Sequence, residues 1–165
     1  MRVAMSYLYT HLLKDFIDQL EMICTSSKWH SRRAAIEFAQ NLIFCSLFNS
    51  RPHIKQLNEI LLKCLFDEQL EVRTIASMTL SGFYQCGYIK LTDKDLNYFN
   101  VMSKTNYFTK INGKKVISGE NIIKRHGGVL GLCAIVLSSP YDISMYVADA
   151  LVRLCEHSQD ADLIQ

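Results

Sequence analysis

Apolar residues return at intervals of three and four along nearly the whole chain, the period of a helix with one face buried, and strand-like alternation is nearly absent. Over about 3–23, Leu8, Leu12, Phe16, Leu20 and Ile23 form one stripe, ended by the polar Thr25-Ser26-Ser27. A second helix is expected from Trp29, with a serine as cap candidate, to about Phe48. Its Ile36, Phe38, Ala39, Leu42, Ile43, Phe44, Leu47 and Phe48 wrap most of the way round, as in an inner helix covered on several sides. Ser50 and Pro52 suit the cap and first turn of a third helix bearing Ile54, Leu57, Leu61, Cys64 and Leu65, broken at Asp67-Glu68-Gln69. A fourth runs to Cys86, with Gly87 where a left-handed residue ends a helix. Thr92 with Asp95 opens a short fifth helix ending near Lys104, Ser118 or Gly119 a sixth reaching Leu137, and Asp142 or Ser144 a seventh that fades after His157.

Laying the even-numbered helices on one another exposes a repeat. Arg32, Ala35 and Ala39 match Arg73, Ala76 and Leu80, and these match Arg125, Gly128 and Leu132, at offsets of 41 and 52 residues. An arginine early in the helix, a small residue three later and an apolar one seven later suit close helix contact, and the shorter offset falls in the range of helix-pair solenoids. The expected fold is therefore all-α: a HEAT-like α-solenoid segment of about seven helices in antiparallel pairs, over about 2–48, 53–86 and 92–137, with an unpaired last helix over 143–157. The longer second interval places an insertion in a basic loop at 105–118. The stretch from Asp160 to the end reads as the start of a further helix, so 1–165 reads as one domain cut from a longer solenoid.

Composition adds mainly exclusions. With 49% apolar and 21% charged residues the 165-residue chain should bury a core, and a formal charge of +2 argues neither for nucleic acid nor for membrane. Six cysteines occur singly, without a C-x-x-C pair or metal-ligand spacing, and read as buried thiols of an intracellular protein. No leader pattern or bilayer-length apolar run is present, so a soluble cytosolic or nuclear protein is expected. Nucleophile-elbow, phosphate-loop, metalloprotease and dinucleotide motifs are missing, and the five histidines are scattered, so no enzyme, cofactor or metal is expected.

Three features carry candidate chemistry. Gly127, Gly128 and Gly131 lie in an apolar helical run lacking the lysine and hydroxyl of a phosphate cradle, and read as a place where two helices approach closely. From 104 to 126 the cations Lys104, Lys110, Lys114, Lys115, Lys124 and Arg125 face Glu120 alone. With Tyr107 and Phe108 interleaved, this patch fits either a phosphate-rich or acidic partner, nucleic acid or inositol phosphate among them, or a solvated insertion. At the turn 83–88, Phe83, Tyr84, Gln85, Gly87 and Tyr88 either line a small cleft or close the core beneath the helix end.

Several stretches resemble one family. Ser26-Ser27-Lys28-Trp29-His30-Ser31-Arg32, Asp67-Glu68-Gln69-Leu70-Glu71-Val72-Arg73, Thr79-Leu80-Ser81-Gly82, Lys124-Arg125-His126-Gly127-Gly128-Val129-Leu130-Gly131-Leu132 and Leu137-Ser138-Ser139-Pro140-Tyr141-Asp142 occur in order. Together they look like the C-terminal portion of the large single-chain HEAT-repeat proteasome activators, the proteasome activator complex subunit 4 family. The resemblance implies a non-catalytic segment of a protein that caps the 20S proteasome core and promotes ubiquitin-independent degradation. It also implies location in nucleus and cytoplasm, and bromodomain-like recognition of acetylated histones in DNA repair and spermatogenesis, with Tyr84, Gln85, Gly87 and Tyr88 as acetyl-lysine pocket candidates. Two departures stand out. The family's C-terminus carries a hydrophobic-tyrosine-any-residue tail that enters the core particle, whereas this chain ends Asp162-Leu163-Ile164-Gln165, so docking by that route is not expected. Where relatives place an Asn-Phe pair, this chain has Gly87 and Tyr88, and glycine offers no side-chain amide. Exposed terminal faces would favour self-association of the isolated chain.

Overall fold

The computed structural model describes residues 12–111, 114–158 and 160, with backbone alone at 109–111, 114 and 115. Among these residues the fold is all-α, with solenoid-like packing of helix on helix and one short hairpin. The elements are α1 (Leu13–Ile23), α2 (Trp29–Cys45), α3 (Ile54–Leu65) entered through a 3-10 turn at Arg51–His53, α4 (Leu70–Gln85), α5 (Asp93–Ser103), β1 (Phe108–Ile111), β2 (Lys114–Ile117), α6 (Gly119–Leu137) and α7 (Met145–Cys155). They fall into two compact units that divide between Ile89 and Lys90. The expected beginning of the first helix at 3–11 and the expected further helix at 161–165 lie outside the described residues.

In the first unit α1 packs on α2, α3 on α4, and the pairs meet through α2 with α4 and α1 with α3. Leu57, Ile60, Leu61, Cys64 and Leu65 of α3 and Val72, Ala76, Leu80 and Phe83 of α4 are buried, as their period requires. Each large side chain so buried contributes about 1.5–3 kcal/mol. The stripe expected on α1 is displaced by one residue: Leu13, Ile17 and Leu20 are buried, whereas Leu12, Phe16 and Ile23 are each more than a third exposed. Two apolar stripes lie side by side on this helix, and packing selects the second. Nor is α2 covered all round, because Phe44 is 52% and Phe48 78% exposed.

Helix starts are built in two ways. Thr92 and Asp95 form the expected capping box of α5, and the hydroxyls of Ser118 and Ser144 accept the backbone N–H of Asn121 and Val147. At α2 and α4 no side chain caps the helix, and the expected serine cap of α2 is not formed. Arginine holds the turn instead. Arg32 Nη1 donates to the carbonyls of Ser26 (2.7 Å) and Ser27 (3.3 Å), and Arg73 Nη1 to those of Asp67 (2.7 Å) and Glu68 (3.0 Å), in both cases six and five residues back. Arg32 also reaches 35 residues forward, donating from Nε and Nη2 to both carboxylate oxygens of Asp67 at 2.7 and 2.8 Å. The pair is desolvated, with side chains only 7% and 10% exposed. The arginine therefore closes its own turn and ties it to the next.

In the second unit α6 packs against α5 and α7, and α7 also touches α5. The glycines of α6 set the first distance, as their composition implies. A methyl group on Gly128 would lie 2.2 Å from the Ser103 backbone nitrogen, and one on Gly131 2.2 Å from the buried Phe99 ring. Between α5 and α6 the structure has an antiparallel hairpin where sequence patterning gave a loop, pairing Phe108 with Ile117, Thr109 with Val116, Lys110 with Lys115 and Ile111 with Lys114. Asn112-Gly113 between two short runs of β-formers is the sequence signal for it. The cysteines also differ from expectation: only Cys64 is buried, while Cys86 and Cys155 are exposed.

Two predictions follow from this packing. Alanine in place of helical glycine ordinarily stabilises by about 0.5–1 kcal/mol, but overpacking costs about 1–3 kcal/mol. Urea unfolding should thus rank Gly128→Ala, which strikes backbone, as the most damaging and Gly131→Ala next. Gly82→Ala should be close to neutral, because its nearest neighbour is the tip of the exposed Phe44 ring at 3.3 Å. Replacing Asp67 by Asn should cost about 3–5 kcal/mol, since it leaves a buried guanidinium without its counter-charge. Glu68→Gln should cost less than about 1 kcal/mol, because the Glu68 side chain is 70% exposed.

Candidate functional site

The turn after α4 is assembled by glycine. Gly87 takes φ +66°, and with it the Gly87 N–H reaches the Tyr84 carbonyl at 3.1 Å and the Tyr88 N–H the Phe83 carbonyl at 2.9 Å. That double bond pattern is a Schellman motif, and the apolar contact that accompanies it is Tyr88 on Phe83, edge to face with ring centroids 5.1 Å apart. Tyr88 is 4% exposed and its hydroxyl donates to the Ser50 carbonyl at 2.7 Å. Burial pushes its phenol pKa up, although the Ser50 hydrogen bond pulls the other way. Of the four pocket candidates, then, Tyr88 lies in the core and fastens the turn to the residues before α3. Gly87 and Gln85 are exposed, and Tyr84 is half-buried at the rim. A Cβ on Gly87 would meet nothing within 4 Å.

The basic patch divides. Lys104 pairs with Glu156 at 3.0 Å and Lys124 with Glu120 at 2.7 Å, both at exposed positions. Arg125 is the third repeat arginine and does what Arg32 does. It donates from Nε to Asp160, 35 residues ahead, at 2.9 Å, joined by a second bond from Nη2, while Nη1 donates to the Thr105 carbonyl at 3.3 Å. Its guanidinium also lies over the Tyr107 ring, 5.4 Å from the centroid. Burial raises the pKa of the Asp160 carboxyl, but hydrogen bonds from Arg125 and His157 outweigh it and hold the group below its ordinary value. Arg125 is thereby committed to structure. Lys110, Lys114 and Lys115 lie in the hairpin, where Lys110 and Lys115 occupy opposite register positions; their side chains lie outside the description. The hairpin base is fixed: the Ser118 N–H donates to the Tyr107 carbonyl at 2.8 Å, and Asn106 accepts from both Phe108 and Asn121. Like charges set directly opposite on a two-stranded ribbon destabilise it, so an anion held there would relieve a strain that the register creates.

The third surface feature, unforeseen in the sequence, is a groove of about 500 Å³ between α1 and α2, lined by Phe16, Leu20, Ile23, Ala34, Ala35 and Phe38. The outward stripe of α1 makes one of its walls, and stacked Phe16 and Phe38 span it, with ring centroids 6.3 Å apart. Among the described residues no group of three His, Cys, Asp or Glu side chains is arranged to hold a metal ion, and no helix is long and apolar enough to cross a membrane.

Comparison with known proteins agrees with these repeats. The family described as "Proteasome activator complex subunit 4-like, C-terminal" matches residues 122–165. Proteasome activator complex subunit 4 of Homo sapiens is 34% identical over 172 residues, and subunit 4A of Danio rerio 33% identical over 171; each alignment covers 99% of this chain and 9% of the relative. Proteasome activator subunit 4 of Arabidopsis thaliana is 29% identical over 133 residues, 78% of this chain and 7% of the relative. The chain thus spans about a tenth of the length of these relatives, and within that stretch it belongs to the proteasome activator complex subunit 4 family.

Proposed function

We propose that this chain is a non-catalytic recognition and scaffold segment of a proteasome activator that binds the 20S core and promotes ubiquitin-independent degradation, in nucleus and cytoplasm. The observation that carries this reading is the 34% identity maintained over 99% of the chain to a protein named for that activation. The geometry is in keeping with it. Arg32, Arg73, Arg125, Asp67 and Asp160, the buried charged groups a catalyst would draw on, are spent on tying helix pairs together. A rigid stack of this kind works through the surface it presents. The apolar groove beside Phe16 and Phe38 would let the isolated chain self-associate in the same reading.

Acetyl-lysine recognition, the finer part of the proposal, belongs at the rim of the turn 83–88. There Tyr84 and Gln85 would contact the ligand, and Tyr88 would support them from below, since its hydroxyl already serves Ser50. An acetylated lysine is neutral, so this mode depends little on salt. Phosphate-rich ligands on the hairpin lysines, the competing mode, would be lost steeply as salt rises. The like-charged register of Lys110 and Lys115 favours that second mode.

Two experiments decide. The whole protein carrying this segment should co-sediment with 20S core particles and raise hydrolysis of a fluorogenic peptide without ATP or ubiquitin; failure of both removes the activator assignment. Titration of the chain with acetylated and unmodified histone-tail peptides at two salt concentrations should show selective, salt-insensitive binding of the acetylated form, weakened by Tyr84→Ala. Asparagine tolerates the left-handed conformation at a cost of at most about 1 kcal/mol. With open space around its Cβ, Gly87→Asn should therefore fold and strengthen acetyl-peptide binding. Equal affinity for both peptides in wild type and Gly87→Asn alike would remove the acetyl-lysine reading.

A further inference from the structure

Cys24 closes α1 and Cys64 lies in the last turn of α3, two helices that pack directly on one another. Their thiols are hydrogen-bonded to each other and both are free. Access to them is unequal, because Cys64 is 2% exposed whereas Cys24 is half-buried. A small oxidant therefore meets one sulfur first, with the second waiting behind it. The proton is shared unequally as well. The bond from Cys64 favours the Cys24 thiolate and holds the Cys24 pKa below that of an ordinary thiol; the same bond together with burial pushes Cys64 well up. Arg32 adds to the first effect, while Asp67 and Glu21 oppose it. The attacking form of a thiol is its thiolate, and an accessible thiolate with a resolving thiol in contact is the arrangement that passes through sulfenic acid to a disulfide.

We propose that Cys24 and Cys64 form a peroxide-responsive dithiol that closes to an intramolecular disulfide in the first unit. The Cys24 thiolate attacks one oxygen of hydrogen peroxide, the O–O bond breaks, and Cys24 becomes a sulfenic acid while hydroxide leaves and is protonated to water. The Cys64 sulfur then attacks the Cys24 sulfur, the S–O bond breaks, and the Cys64 proton departs with the hydroxyl as a second water. Two thiols are oxidised by two electrons and one peroxide is reduced to two waters. Sulfurs in hydrogen-bond contact need a further approach of roughly 2 Å to reach the disulfide bond length, a movement within reach of a residue at a helix end. The link would join the turn that Arg32 holds to the helix that leads into Asp67, so it would brace the same junction as the ion pair.

The test uses the 165-residue chain with Cys86→Ser and Cys155→Ser, which removes the two exposed thiols that would otherwise join separate molecules. After exposure to hydrogen peroxide and alkylation, non-reducing peptide mapping should show Cys24 joined to Cys64 with the loss of two hydrogens. The midpoint of thermal unfolding should rise by several degrees and return with dithiothreitol. In the Cys24→Ser variant no link forms and Cys64 remains alkylatable once the chain is denatured. The same map on the unsubstituted chain identifies the partners by peptide mass, so the test survives if the serine variants fold poorly. Oxidation of Cys24 to sulfinic acid with Cys64 still a free thiol, or a link from Cys24 to any other cysteine, overturns the proposal.

Discussion

A buried arginine at the start of a helix is expensive unless its donors are matched, and that requirement organises the first unit. The Arg32 guanidinium is almost fully withdrawn from water, where an unpaired charge would cost several kcal/mol. Two carbonyls of the preceding turn and both oxygens of Asp67 satisfy it, and each acceptor is delivered by a different part of the chain. Because those acceptors must converge on one planar group, the turn before α2 and the turn before α4 are fixed relative to each other. Arg73 repeats the local half of the pattern, and Arg125 repeats the forward reach with the same spacing of 35 residues. Hence the arginines that align in sequence also act alike in space.

The rest of the helical packing follows from this registration. With the turns fixed, α2 and α4 need no side-chain caps, whereas α5, α6 and α7 begin with Thr92, Ser118 and Ser144 doing that work. In the second unit close approach takes over as the controlling demand. Gly128 and Gly131 admit the backbone at Ser103 and the ring of Phe99 where any side chain would collide, which explains glycine in the middle of a helix that it would otherwise weaken.

What could be read in advance was whatever depends on local chemistry. Capping residues, the left-handed Gly87 and the repeated Arg32, Arg73 and Arg125 announce themselves through residue type and spacing, and the helices they bound lie where that reading puts them. The orientation of α1 could not be read so, because Leu12, Phe16 and Ile23 satisfy the helical period as well as Leu13, Ile17 and Leu20 do, and only the neighbouring helices choose between them. The hairpin carried a legible signal, Asn112-Gly113, that was outweighed by its surroundings of lysine and by the helical run on either side. The turn 83–88 was legible as a site of aromatic closure, but the destination of the Tyr88 hydroxyl was not. Its acceptor, Ser50, lies 38 residues away and belongs to a backbone carbonyl, which no side-chain pattern marks. For the same reason the partners of Arg32 and Arg125, Asp67 and Asp160, became visible only when the chain was folded.

The division of labour among charged groups bears on function. In this chain the charges set deepest are consumed by architecture, so those left to meet another molecule stand at the margins: the rim residues Tyr84 and Gln85, and the hairpin with its opposed Lys110 and Lys115. Such margins can vary between relatives without disturbing the stack, which is how Gly87 can stand where an amide would otherwise be presented. The Cys24 and Cys64 thiols occupy the opposite position, beside the turns that Arg32 and Asp67 join, where a change in bonding acts on the registration of helix pairs and not on the presented surface. Recognition and regulation are thus physically separable here, because one uses side chains the fold does not need and the other uses the junction on which the fold depends.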